Sequence, residues 1–127
     1  RTNPDFYIDG GHNPDGICSL TETFKRIYPG RKAIVIMGVF KDKEYGTMVR
    51  EISSITERFI AVTPDNPRAL SAEKLANVMH RYCNNVKIND TIEETVRELM
   101  TSVSNDEIIV ATGSHSYIGR IRKMFKE

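Results

Sequence analysis

Cysteine is scarce in this 127-residue chain, with only Cys18 and Cys83 present. They lie far apart, without a CxxC and without His or Cys at metal-ligand spacing, which excludes an evident zinc site. Two thiols in a cysteine-poor chain fit a reducing, cytoplasmic setting, where both are expected to be free and buried. No apolar run approaches the roughly 20 residues that span a bilayer. Neither sign of charge dominates: the formal net charge is +1, which gives no electrostatic case for nucleic acid or an anionic membrane, a local basic patch aside. Also missing are a GxxxxGK[ST] phosphate loop, a nucleophile elbow and a GxGxxG after a strand. The chain therefore has no evident way to grip the β and γ phosphates of ATP, and no catalytic residue is assigned to it.

With 39% hydrophobic and 28% charged residues, the composition is that of an ordinary folded domain. Residues 1–127 are expected to form a single domain around one core. The chain opens at Arg1 with neither signal peptide nor initiating Met and enters a strand pattern at once, the expectation for a fragment cut at a domain boundary.

The densest chemistry is FYIDGGHNPDG, residues 6–16. A β-branched and aromatic run is broken by Gly10 and Gly11, so Asp9 sits at a strand end before His12. Asn13 suits an N-cap, Pro14 a first helical position and Asp15 an acidic first turn. Ile17, Leu20, Phe24 and Ile27 then recur at helical spacing as a core stripe until Pro29 and Gly30. Residues 32–37 (KAIVIM) read as a buried parallel strand ended by Gly38, followed by the loop VFKDKE and a helix through Met48, Val49, Ile52 and Ile55. Residues 58–63 (RFIAVT) read as the third strand, ending in Pro64, Asp65, Asn66, Pro67 and Arg68, where two prolines stiffen the loop that presents Arg68. Ser71 reads as a single-sided N-cap for a helix with Leu75, Val78, Met79 and Tyr82 inward. Residues 86–88 form a brief strand near an edge. Asp90 or Thr91 caps a helix with Ile92, Val96, Leu99, Met100 and Val103 inward. Residues 107–111 (EIIVA) read as the fifth strand, running into a polar turn of Thr112, Gly113, Ser114, His115 and Ser116. A last helix is patterned by Tyr117, Ile118, Ile121, Met124 and Phe125.

Strict alternation of strands and helices predicts an α/β fold: a Rossmann-like, mostly parallel sheet of about five or six strands, with helices on both faces and right-handed crossovers. In such a sheet the loops at residues 9–13, 38–44, 63–68 and 112–116 share one edge. Those loops hold nearly all the unusual chemistry. Asp9 can accept two ribose hydroxyls or merely cap a turn; His12 can donate or accept beside it. Lys41, Asp42 and Lys43 can hold a phosphate or carboxylate, or form a solvated loop. Arg68 can grip a carboxylate with two parallel hydrogen bonds. Gly113 and Ser114 at a helix start can donate to an anion, while His115 is equally a surface residue and His80 is structural or solvent-facing.

DGGHNPDG (residues 9–16), GVFKDKEY (38–45), TPDNPRALSAEKLA (63–76) and ATGSHSYIG (111–119) resemble successive blocks of the C-terminal domain of folylpolyglutamate synthase, often bifunctional with dihydrofolate synthase, in the Mur ligase superfamily. The resemblance implies a cytoplasmic, monomeric, ATP-dependent ligase joining glutamate to folate, with tetrahydrofolate or dihydropteroate as acceptor. The implied central domain, which also binds most of the magnesium, phosphorylates the folate carboxylate, and the glutamate amine attacks the acyl phosphate. This C-terminal domain swings onto its own central domain and completes the nucleotide and glutamate sites. Alone, it is expected to be inactive and to bind either ligand weakly, and no nucleic acid or membrane partner is implied.

By matching positions, the resemblance implies that Asp9, His12 and Asn13 approach ATP, that Arg68, Ser114 and His115 line the glutamate side, and that Lys41, Asp42 and Lys43 face the closed cleft. Gly11 is commonly Ala in the family, His115 replaces a usual Leu, and an Arg usually placed before the first strand would lie upstream. Two alternatives stand beside this reading: a Mur-type ligase acting on peptidoglycan precursors, and a non-catalytic nucleotide-binding domain.

Overall fold

The computed structural model describes residues 5–8, 13–89, 92–102 and 107–113. Strands and helices alternate through them as β1 (Asp5–Ile8), α1 (Pro14–Ile27), β2 (Ala33–Gly38), α2 (Tyr45–Ser53), β3 (Thr56–Ala61), α3 (Ala72–Met79), β4 (Val86–Ile88), α4 (Ile92–Ser102) and β5 (Ile108–Gly113). The strands form one five-stranded sheet in the order β1-β5-β2-β3-β4. Every neighbouring pair is parallel.

The uninterrupted apolar run of β2 follows from its central place, since all six of its residues are buried under helices on both faces. Alternate residues part company: Ala33, Val35 and Met37 pack with Ile17, Leu20 and Phe24 of α1, Met48 and Ile52 of α2, and Leu75 and Met79 of α3. Ile34 and Ile36 pack on the opposite face with Val96 and Leu99 of α4. This arrangement has a topological cause. The steps from β1 through β2 and β3 to β4 advance one way across the sheet, whereas β4 to β5 returns and inserts β5 between β1 and β2. If every crossover has the same hand, the returning helix must cover the other face, as α4 does.

The helix starts are built as their sequences indicate. Asn13 Oδ1 accepts the Gly16 amide at 2.8 Å, with Pro14 and Asp15 in the first turn. Ser71 Oγ accepts the Lys74 amide at 3.3 Å.

Several expectations shift. β3 begins at Thr56 and ends at Ala61, two residues earlier than expected, because Thr63 leaves the ladder and its Oγ1 accepts the Ala72 amide at the start of α3. β5 continues through Thr112 and Gly113, expected in a turn, because they pair with Met37 and Gly38. Ile27 is exposed rather than in the core; the helix ends there, and Tyr28 instead packs against Phe24, ring centroids 5.0 Å apart. Tyr82 is also exposed, lying beyond the end of α3, where Cys83 takes the core contact. Both cysteines are free, but Cys18 is exposed and Cys83 only half-buried. The expected caps Asp90 and Thr91, the inward Val103 and the last helix lie outside the described residues.

Candidate functional site

Because the sheet is wholly parallel, Ile8, Gly38, Ala61 and Gly113 all end strands at one edge. At its centre two loops are tied together. Phe40 and Ala69 form an antiparallel bridge, in which the Leu70 amide donates to the Val39 carbonyl at 2.9 Å and the Lys41 amide to the Arg68 carbonyl at 2.8 Å. The loop after β2 and the loop after β3 are thus joined through their backbones.

Gly38 sits at the root of this pair. A Cβ there would lie 3.0 Å from Val62 Cγ2, 3.1 Å from Pro64 Cγ and 3.1 Å from the Val62 carbonyl oxygen. The missing side chain is what lets the two loops approach so closely.

The loop carrying Arg68 is further shaped by Asn66, whose Oδ1 accepts the Arg68 amide at 2.9 Å, while the Ala69 amide donates to the Asn66 carbonyl at 3.0 Å. This is the turn-forming use of an Asn side chain. Arg68 then reaches back over the neighbouring loop. Its guanidinium carbon stands 4.8 Å from the centroid of the Phe40 ring, a cation–π distance, and its Nη2 donates to Asp42 Oδ2 at 2.5 Å. The hydrogen bond from Arg68 is the main reason the Asp42 carboxyl is held below the usual aspartate range, with the charges of Arg68 and Lys43 adding to it. The carboxylate that Arg68 grips here is therefore internal, and it is gripped by a single N–H rather than by two.

Lys41 and Asp42 are exposed and Lys43 half-buried. Across the two loops the formal charges of Lys41, Lys43 and Arg68 are matched by those of Asp42, Glu44 and Asp65. These two loops thus form a patterned polar surface and not a basic patch. Among the described residues no group of three or more His, Cys, Asp or Glu side chains is gathered as for a metal ion. The N–H donors of the two loops suit an anion, carboxylate or phosphate.

The structure brings Arg68 together with Asp42 and Lys43. Asn13 lies at the start of α1 with its Oδ1 engaged as a cap. Asp9, His12, Ser114 and His115 lie outside the described residues; the described segments before them end at Ile8 and Gly113, on adjacent strands of the same edge. His80 is exposed at the C-cap of α3. Phe40 and Thr63 were missed by sequence reasoning. An aromatic two residues before an Asp, opposite an Arg-bearing loop, is a signal only once the pairing of the loops is known.

The comparisons with known proteins agree with this arrangement. The family model described as Mur ligase, glutamate ligase domain, matches residues 1–115. The dihydrofolate synthase/folylpolyglutamate synthase of Bacillus subtilis is 28% identical over 126 residues, covering 99% of this chain and 29% of that protein. The folylpolyglutamate synthase of Lacticaseibacillus casei is 31% identical over 121 residues, covering 94% and 27%. A UDP-N-acetylmuramoyl-L-alanyl-D-glutamate--2,6-diaminopimelate ligase of Clostridium acetobutylicum is 28% identical over 118 residues, covering 89% and 24%. The chain spans under a third of the length of these relatives. Among solved structures, folylpolyglutamate synthase of Mycobacterium tuberculosis in complex with ADP has a TM-score of 0.85 at 22% identity, covering 96% of this chain and 30% of that one. The bifunctional synthase of Yersinia pestis, complexed with AMPPNP and a Mn ion, has a TM-score of 0.84 at 17% identity, covering 96% and 28%. With the family model matching nine-tenths of its length, the chain belongs to the Mur ligase family as a glutamate ligase domain.

Proposed function

We propose that this domain is the closing half of an ATP-using ligase that joins glutamate to a folate through an acyl phosphate. The observation that carries the reading is the tied pair of loops holding Arg68 at the strand-end edge, the position at which open α/β sheets receive ligands. Arg68 supplies the guanidinium for a carboxylate of the incoming glutamate, with Ser114 and His115 on the same side. Asp9, His12 and Asn13 approach the ribose or adenine of ATP. Lys41, Asp42 and Lys43 face the cleft that closes against the central domain. The relatives solved with ADP and with AMPPNP and Mn support nucleotide and divalent metal use by the whole enzyme. In this reading the phosphate loop and most of the magnesium coordination belong to the central domain. Closure excludes water, which would otherwise hydrolyse the acyl phosphate before the amine attacks.

Glutamate incorporation by the full-length enzyme tests this, assayed separately on dihydropteroate and tetrahydrofolate. Arg68→Ala is expected to raise KM for glutamate and Asp9→Ala to raise KM for ATP, each about tenfold or more, the loss of one charge-assisted contact. Unchanged Michaelis constants in both variants would remove these site assignments. The diaminopimelate ligase relatives support a second reading, a Mur-type enzyme. Turnover with 2,6-diaminopimelate and a peptidoglycan precursor, and none with glutamate and folate, would establish it in place of the first.

A further inference from the structure

Arg68 is held from two directions by one neighbouring loop. Phe40 lies under the guanidinium at 4.8 Å, and Asp42 meets it edge-on through Nη2 alone, at 2.5 Å. A free arginine side chain has about 2 kcal/mol of rotamer entropy to lose on binding, and at 57% exposure little else around Arg68 restrains it. Ring face and carboxylate together restrict the positions that the guanidinium can take. Among the described residues no other side-chain partner is taken by Nε or Nη1, so a guanidinium with five N–H donors keeps an edge open for a second anion. The backbone bridge between Phe40 and Ala69 is what places platform and stop beside the same arginine.

We infer that Phe40 and Asp42 are positioning residues that pre-orient Arg68, so that its open edge meets the carboxylate of the incoming amino acid with its ordering cost already met. The identity of that carboxylate rests on the ligase reading above; the pre-orientation itself rests on the contacts among Phe40, Asp42 and Arg68. Asp42 also repels an incoming carboxylate, but it is 55% exposed, so water screens that repulsion.

The test is steady-state kinetics of the full-length enzyme with glutamate as the varied substrate. Asp42→Ala and Phe40→Leu are each expected to raise KM for glutamate about three- to tenfold, the range for ordering one long side chain. Saturated kcat should stay within about twofold and KM for ATP should not move; a general loss of folding would not produce that split. Asp42→Asn retains an acceptor for Nη2 and should fall between Asp42→Ala and the parent. In an Arg68→Ala background, Asp42→Ala should have no further effect, because its influence passes through the arginine. A KM that falls or stays level in Asp42→Ala, or an effect that adds in full to that of Arg68→Ala, overturns the inference while leaving the ligase reading in place. A KM for glutamate unchanged by Arg68→Ala overturns both.

Discussion

Asp42 keeps its charge further into acid than an ordinary aspartate does, because the Arg68 hydrogen bond favours the carboxylate over the acid. A carboxyl with a depressed folded-state pKa contributes stability that is present above its unfolded value and is lost as the pH falls through the folded one. The contact between Asp42 and Arg68 is therefore intact throughout the neutral range and weakens as the pH falls through the lowered carboxyl pKa, while the backbone bridge between the loops carries no titrating group. Following the Asp42 side-chain carbonyl by NMR during an acid titration should give a midpoint below that of a model aspartate. In Arg68→Ala the midpoint should move up toward the ordinary value. The loop that carries Arg68 was legible in the sequence, because two prolines around Asp65 and Asn66 interrupt regular structure there. The partner of Arg68 was not. Asp42 lies 26 positions away, and no local pattern says which cation a surface aspartate will meet.

At the scale of elements the sequence was most informative where one residue type satisfies one backbone need. Asn13 before Pro14 reads as a helix start, and the Gly16 amide donates to it as the reading requires. Asn13→Ala should cost the folded domain about 0.5–2 kcal/mol, seen as a lower denaturation midpoint with an unchanged urea slope. Asn13→Asp, an equally good cap beside a positive helix end, should restore most of it. Element ends were read less well, for a common reason. Ile27 and Tyr82 fit the periodicity of their helices, but periodicity does not say where a helix stops. In each case it stops early enough for Tyr28 or Cys83 to take the core contact instead. Thr112 and Gly113 resemble a turn by composition, yet the facing Met37 and Gly38 give them ladder partners, and an available pairing outweighs local propensity.

For the whole molecule, the domain carries one half of a cleft in the proposed reading, so chemistry needs the partner half. The isolated 127-residue chain should form no amide bond from ATP, glutamate and folate, and calorimetry should find only weak binding of nucleotide or glutamate. Tight nucleotide binding by the domain alone would contradict the division of labour.

The alternation of strand and helix, the buried central strand and the strand-end position of the loops after β2 and β3 were all determined by sequence, because each follows from local periodicity and from backbone needs met within a few residues. The order of the strands was decided only by the tertiary structure. So were the return of β5 to the middle of the sheet, the close approach that Gly38 permits and the joining of Phe40, Asp42 and Arg68. These depend on contacts between segments far apart in the chain, where the free energy of packing selects one pairing among many that the local sequence allows equally.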